Sequence, residues 1–442
     1  MIWTTEQILA LAPDAASAKA GQGLSAARHW QTLGCDEKSI WGLCQGSGKN
    51  PYQTQIDLAE PAFKCSCPSR KFPCKHGLGL FLLFASQRQA FTEKTPPAWV
   101  TEWLESRARR TEQKDEKLQV PGKPVDEAAQ AKRAAAREAK VAAAVQVLQL
   151  WLRDLVRNGL AVAQTQPPQF WERIAARLVD RQAAGLARLV REMAAVANSG
   201  QGWQARLLER IGKLHLLIEG YKRIDELPEE NQADIRASIG WTINQEELLT
   251  RVGVRDQWLV VGSRIEEEER LRVQRVWLWG ENTNRAAMIR HFAHGQQPLD
   301  ASLVTGTIFD GEVVFYPGAY VLRALVKEKF SEIEQVAVLP GYETISAAVA
   351  AYATALARHP WMELFPMLLK AVTPVCRNDV WVLRDGDGRI LPIHPGVSPW
   401  PIMAMSGGHP LALFGEWDGE VLRLLSVWPA DELVTFLLTR GS

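Results

Sequence analysis

Apolar residues recur at helical spacing through the middle of the chain. Val141, Val145, Leu148, Leu152 and Leu155 fall on one face of a 3.6-residue period. Similar patterns cover Phe170–Ala183, Ala187–Ala197, Trp203–Arg223 and Glu229–Ile239, punctuated by Gly200, Gly202 and Pro228. Residues 126–250 therefore read as an all-helical block with no fixed repeat. Ahead of it, Thr4-x-x-Gln7 suits a capping box on a short first helix, and Ser25–Leu33, closed by Gly34, predicts a second. Ser39–Gln45 and Tyr52–Leu58 have strand character, and the turn cluster Gly46–Pro51 between them predicts a hairpin. An apolar stretch from Lys75 to about Gln89 predicts a helix, with Trp99–Leu104 as a further short one after Thr95-Pro96-Pro97. Residues 107–125 mix charges, Pro and Gly with almost no apolar side chain, which predicts a linker.

After Val252 the pattern changes to strands. Gln257–Arg264 and Leu271–Trp279 flank the acidic run Glu266–Glu269, as in a hairpin with a charged tip. Further strands are expected at Leu303–Phe309, Val313–Tyr316, Val380–Leu383, Ile390–Ile393, Ile402–Met405, Leu411–Trp417 and Val421–Val427, with one helix at Tyr342–Arg358. The expected class is α+β: an N-terminal region 1–106, the linker 107–125, the helical block 126–250 and a β-rich part 251–442.

Composition narrows the function classes. The 51 basic and 50 acidic residues nearly cancel, which excludes a globally basic nucleic-acid binder and an acidic disordered tail. Seventeen tryptophans, spread from Trp3 to Trp428, argue for several packed cores. The start of the chain lacks a secretory signal pattern, and the longest apolar run, GLGLFLLFA from Gly77, is half a membrane span. The expectation is a cytoplasmic protein without a membrane segment.

Three of the six cysteines crowd into ten positions, a distribution that suits a metal rather than a disulfide scaffold. The segment FKCSCPSRKFPCKH offers the thiols of Cys65, Cys67 and Cys74 and the imidazole of His76. Tetrahedral Zn²⁺ requires four such donors, and period-2 geometry at a strand end turns Cys65 and Cys67 to the same side. With every position filled by protein, one structural Zn²⁺ is expected and no catalytic one. Lys64, Arg70, Lys71 and Lys75 would lower thiol pKa values and offset the charge of the centre. Ordinary buried cysteines are the competing explanation, and a redox role lacks an acidic residue in the knuckle to orient the histidine.

Cys-x-Cys, six residues, then Cys-x-His resembles the SWIM zinc finger, and the preceding strand pair is similar to that family's hairpin. The resemblance covers about Ser39–Gln89. GSGKNPYQ…CSCPSRKFPCKH looks more narrowly like bacterial SWIM proteins of similar length. That resemblance implies a MoxR-type AAA+ ATPase and a von Willebrand A-domain protein as partners. The wider family implies DNA binding or protein–protein interaction, with no enzymatic activity in the finger.

Other motifs have plainer explanations. Gly46-Ser47-Gly48-Lys49 fails the phosphate-loop pattern at Leu43 and Asn50 and suits a turn. Arg107, Arg109 and Arg110 would extend a basic patch for nucleic acid, diluted by Glu102, Glu105 and Glu112. His291-x-x-His294 would place two metal ligands on a helix but suits surface histidines better. Asp385-x-Asp387-Gly388 and Ser406-Gly407-Gly408-His409-Pro410 suit turns, and Cys35, Cys44 and Cys376 suit small buried hydrophobes. The expected function is a non-enzymatic zinc-finger adaptor for protein partners. The second possibility is a DNA-binding protein contacting phosphates through Lys64, Arg70, Lys71 and Lys75.

Overall fold

The computed structural model describes the chain except residues 1–2, 4, 14, 46–49, 59–60, 70, 120–126, 269–270, 295–298, 301, 332–333, 336–338, 429–435 and 438–442. The expected cap at Thr4, the turn Gly46–Lys49 and Arg70 fall wholly or partly outside the described residues.

The N-terminal part runs α1 (Thr5–Ala10), α2 (Ala15–Gln22), β1 (Trp30–Cys35), β2 (Ser39–Cys44), β3 (Tyr52–Asp57), β4 (Ala62–Cys65), α3 (Lys75–Ser86), β5 (Thr92–Glu93) and α4 (Ala98–Gln119). Its sheet has the order β4-β3-β2-β1-β5, antiparallel except for the β1–β5 pair. Every residue of α3 from His76 to Phe84 is buried, because the sheet covers one side and α1 and α2 the other. A helix that is apolar all round requires such enclosure. Contact with α2 is close enough to need glycine: a Cβ on Gly79 would sit 2.7 Å from Leu24 Cβ, and one on Gly21 would sit 2.7 Å from Leu78 Cβ.

Two expectations change here. Trp30–Leu33, expected at the end of a helix, form β1, because pairing with β2 satisfies their backbone where a 3₁₀ turn at Ala27–His29 ends. Residues 107–119, expected as linker, continue α4. Glu105 and Arg109 pair across one turn at 3.0 Å on this helix, a spacing that supports exposed helix.

The middle of the chain is helical: α5 (Glu127–Arg157), α6 (Ala161–Thr165), α7 (Pro168–Asp180), α8 (Ala184–Ala197), α9 (Trp203–Lys222), α10 (Glu229–Ile239) and α11 (Gln245–Leu249). The stripe Val141, Val145, Leu148, Leu152 and Leu155 is buried in one core with Trp171, Leu186, Leu207 and Ile235. Trp361, from the C-terminal part, packs on this core and donates its indole N–H to Lys213 O at 2.9 Å.

The C-terminal part contains β6 (Val254–Glu268), β7 (Leu271–Gly280), β8 (Ala286–His294), β9 (Thr307–Phe315), β10 (Arg323–Lys329), β11 (Glu334–Gln335), α12 (Ile345–Arg358), β12 (Phe365–Arg377), β13 (Val380–Arg384), β14 (Ile390–Pro392), α13 (Trp400–Ser406), β15 (Leu411–Trp417), β16 (Leu422–Trp428) and β17 (Phe436–Leu437). The order β10-β8-β7-β6-β9 closes on itself through the β9–β10 pair, giving a five-stranded barrel with β11 on its β9 side. Trp258, Val260, Leu278 and Phe309 fill its interior. The last sheet, β14-β13-β12-β15-β16-β17, carries α12 and α13 on one face. Its other face, with Leu368 and Phe414, packs against Leu259 and Trp277 of the barrel.

Three expectations are corrected in this part. Ile402–Met405 lie in the helix α13, where Pro399 and Pro401 flank the helix start and suit its first turn. Glu266–Glu268 extend β6 instead of forming the hairpin tip, since Glu266 pairs with Arg264 and Arg275 on the same sheet face. His291 and His294 sit on the strand β8, not on a helix, and His291 Nδ1 lies 3.7 Å from Asp300 Oδ2.

The β7–β8 connection depends on one buried carboxylate. Asp256 is 4 % exposed and accepts from Asn282 N (3.0 Å), Asn282 Nδ2 (2.8 Å), Thr283 N (2.8 Å) and Thr283 Oγ1 (2.5 Å). Burial raises its pKa, but these donors outweigh burial and hold the carboxyl below the usual Asp range. A depressed folded pKa contributes stability above the unfolded value near 3.9, and that contribution is lost as pH falls through the folded value. Asp256→Ala is expected to cost about 1–3 kcal/mol at neutral pH by stranding these donors. The cost should shrink in acid-unfolding curves below about pH 4; an equal cost at pH 7 and pH 3 would remove the ionised carboxylate from this account.

Candidate metal centre

Strand pairing and a helix start bring the four expected ligands together. Cys65 is the last residue of β4, aligned with Thr54 on β3. The pairing with β3 continues one residue further: Ser66 N donates to Gln53 O at 2.9 Å, and Gln53 N donates to Ser66 Oγ at 2.9 Å. Phe72 anchors the far side of the loop edge-on to Phe63, at 6.1 Å between ring centres, and Phe63 in turn meets Phe81 of α3. Cys74 is the N-cap of α3 but makes no capping hydrogen bond through its side chain, which leaves the sulfur to face the cluster. His76 follows in the first turn.

The three sulfurs and one imidazole nitrogen all lie within 4.8 Å of one another. Nδ1 of His76 is 3.8 Å from Cys65 Sγ and 4.0 Å from Cys74 Sγ. A tetrahedron with arms of ~2.3 Å separates its corners by roughly 3.8 Å. The donor set and spacing thus fit one Zn²⁺ with no remaining coordination position. Cys74 and His76 are buried, while Cys65 and Cys67 are half-buried. Among the described residues this is the one His/Cys/Asp/Glu group with metal-binding geometry.

The electrostatics favour a cation. Hydrogen bonding among the sulfurs pushes the Cys65 thiol up, through Cys67 and then Cys74. It pulls the Cys67 thiol well below the usual range, through Cys65 and Cys74. Burial lowers the pKa of His76, but its bonds to the Cys67 and Cys74 sulfurs and their charge push it up to about 9. Holding three thiolates this close concentrates like charge that a divalent ion neutralises as it displaces the protons. Thr54 Oγ1 lies 3.2 Å from Cys65 Sγ, and the Tyr52 ring lies 5.0 Å from the His76 ring. These contacts orient two ligands from β3.

The expected basic contacts separate. Lys71 and Lys75 are exposed and face one cleft beside the centre, whereas Lys64 is exposed on β4 and does not line that cleft. Arg107 pairs with Asp57 at 3.2 Å, and Arg109 with Glu105 at 3.0 Å, so this part of the expected patch is engaged within the protein. Cys35 and Cys44 are buried as expected, but Cys376 is exposed at the end of β12. Asp385 lies in a turn as expected, yet it is also buried and accepts from Ile345 N at 2.9 Å, capping α12 from a distant loop.

Comparison with known families matches residues 52–84 to the SWIM zinc finger and residues 136–239 to the SWIM-associated four-helix bundle domain. No curated protein and no solved structure matched the chain. The second family match attaches the helical block to the finger, a link that no motif within the block had signalled. Sequence patterning reads the block as a helical bundle or short helical array, but does not tie it to the finger.

Proposed function

We propose that this chain, which carries a SWIM zinc finger followed by the SWIM-associated bundle, is a non-enzymatic adaptor that works in the cytoplasm and binds protein partners. The supporting observation is the closed centre: three sulfurs and one nitrogen within 4.8 Å leave no coordination position for a substrate or a reactive water. The metal then shapes the finger, and the finger, the bundle and the β-rich part offer surfaces to partners. The charge balance and the engagement of Arg107 and Arg109 favour protein over DNA. No helix among the described residues is long and apolar enough to cross a membrane. The resemblance to bacterial SWIM proteins suggests a MoxR-type AAA+ ATPase and an A-domain protein as the first partners to seek.

Cross-linking of the intact chain in its own host, followed by purification, tests this function. A defined protein partner is expected, and its recovery should be lost with Cys67→Ser. In gel shifts with a 30-base-pair duplex, no discrete complex is expected at physiological salt. A duplex complex with a steep salt dependence that weakens when Lys71 and Lys75 become Ala would replace the adaptor with a DNA-binding protein.

A further inference from the structure

An open cleft of about 600 Å³ lies beside the metal centre, between the finger and α2. We propose that this cleft is the partner site, and that its occupant is an extended peptide segment carrying Asp or Glu side chains among small apolar ones. This rests on the adaptor function proposed above and assigns its recognition surface.

The walls differ in character. On α2, Ala16 and Ala20 are four residues apart, on one side of the helix, and with Leu24 they form a low apolar wall. Opposite them stand Tyr52 and the finger loop from Cys67 to Ser69. Lys71 and Lys75 supply positive charge, and none of the described lining residues is a carboxylate. A carboxylate beside the lysines with small apolar side chains along α2 matches both surfaces. The volume is within the roughly 300–1,000 Å³ of sites that enclose small ligands or side chains.

Nucleic acid fits less well. The two lysines among the described lining residues can neutralise about two phosphates, giving a salt slope of only about −2. The charges also line a concavity, whereas a duplex presents a convex surface that is read by elements projecting into its grooves. Single strands bind by stacking on aromatic platforms along a basic track. Among the described lining residues the aromatic besides the ligand His76 is Tyr52, and its ring lies against that of His76, 5.0 Å between centres.

The cleft is also tied to the metal and to the fold. Cys67 and His76 line it as well as ligating, so the ion fixes one wall. The other wall is set by the close approach of α2 to α3 through Gly21 and Gly79, and by Trp30, whose indole N–H donates to Leu24 O at 2.9 Å. Since α2 and Leu24 precede residues 52–84, the cleft is not a property of the finger alone.

The test uses the intact zinc-loaded chain and a positional-scanning library of fluorescein-labelled nonapeptides, read by anisotropy. Selected peptides should carry Asp or Glu with small apolar neighbours. Their affinity should fall at least tenfold in the double variant Lys71→Glu, Lys75→Glu, and again in Ala20→Trp, which fills the cleft without changing charge. Peptides with Lys in place of the acidic residues should recover affinity for the double variant. Zinc content and melting temperature are read on every variant, and Ala20→Trp, which leaves the lysines beside the centre in place, should change neither, which separates lost binding from lost folding. A library with no acidic preference, or acidic peptides that bind all variants equally, overturns the assignment. So does a 30-nucleotide single strand that displaces the peptide and needs the same lysines. If cross-linking still recovers a protein partner while the lysine variants bind it normally, the cleft assignment fails and the adaptor function stands.

Discussion

Stripping zinc from the intact chain is expected to unfold the knuckle between Cys65 and His76 while the helical block and the C-terminal sheets stay folded. The apparent free energy of a structural zinc site is about 10–16 kcal/mol at neutral pH. A folded domain is stable by only about 5–15 kcal/mol, so a module whose ligands are joined chiefly through the ion cannot keep its order without it. Locally the chain has little to substitute: Phe63 and Phe72 clamp one side of the loop, but the three cysteines and His76 hold the other through the centre. The rest of α3 is enclosed by the apolar core around Leu80, Phe81 and Leu83, which does not depend on the ion. Chelation should therefore raise hydrogen exchange at residues 65–76 by orders of magnitude and leave residues 136–239 protected. Cys67→Ser and Cys74→Ser should behave like chelation. Simultaneous exposure of all three parts would mean that they fold as one unit.

Replacing Glu416 with Ala is expected to cost about 3–5 kcal/mol, the range for removing one partner of a buried ion pair. Glu416 is 1 % exposed, at the contact between the last sheet and the barrel. It accepts from Arg275 Nε at 3.0 Å and from the Trp277 indole at 2.9 Å, with Arg264 Nη1 at 3.5 Å. Burial lowers the pKa of Arg275, but Glu416 and then Glu266 more than compensate and raise it. Without Glu416, Arg275 keeps only Glu266, at 2.6 Å, and the Trp277 donor is stranded between two packed sheets. Glu416→Gln keeps an acceptor for Trp277 and should cost less than Ala. By contrast, Glu105→Ala removes an exposed pair worth about 0.3–0.5 kcal/mol. Urea unfolding followed by hydrogen exchange in each part checks the ranking, read on the C-terminal sheets for Glu416→Ala and on the N-terminal part for Glu105→Ala. Equal effects for Glu416→Ala and Glu105→Ala would show that the buried network does not couple the sheets.

Legibility in the sequence followed the range of the interactions. The metal centre could be read because its four donors lie within twelve residues, Cys65 to His76, and a tetrahedral ion constrains donor number and type. Helices of the bundle were legible because burial repeats along each one, as at Val141, Val145 and Leu148. Where a partner far along the chain decides, local pattern misleads. Trp30–Leu33 sit in a short mixed stretch that resembles a helix end, and only β2 makes it a strand. Ile402–Met405 is too short for periodicity to separate helix from strand, and the flanking prolines were the better signal. The strand β12 was not anticipated at all, because Pro366 and Pro374 interrupt what is otherwise a continuous buried run. Glu416 reads as an ordinary surface acid until Arg275, 141 residues away, is placed beside it. The cleft likewise needs α2 beside the finger, a contact made through Gly21 and Gly79 that no local pattern encodes.

The central claim is that Cys65, Cys67, Cys74 and His76 share one zinc ion. X-ray absorption at the zinc edge on the intact, metal-loaded chain tests it most directly. Three sulfurs at ~2.3 Å and one nitrogen at ~2.0–2.1 Å, with one zinc per chain, are the predicted shell. A shell dominated by oxygen, or one that keeps three sulfurs after Cys74→Ser, would contradict it.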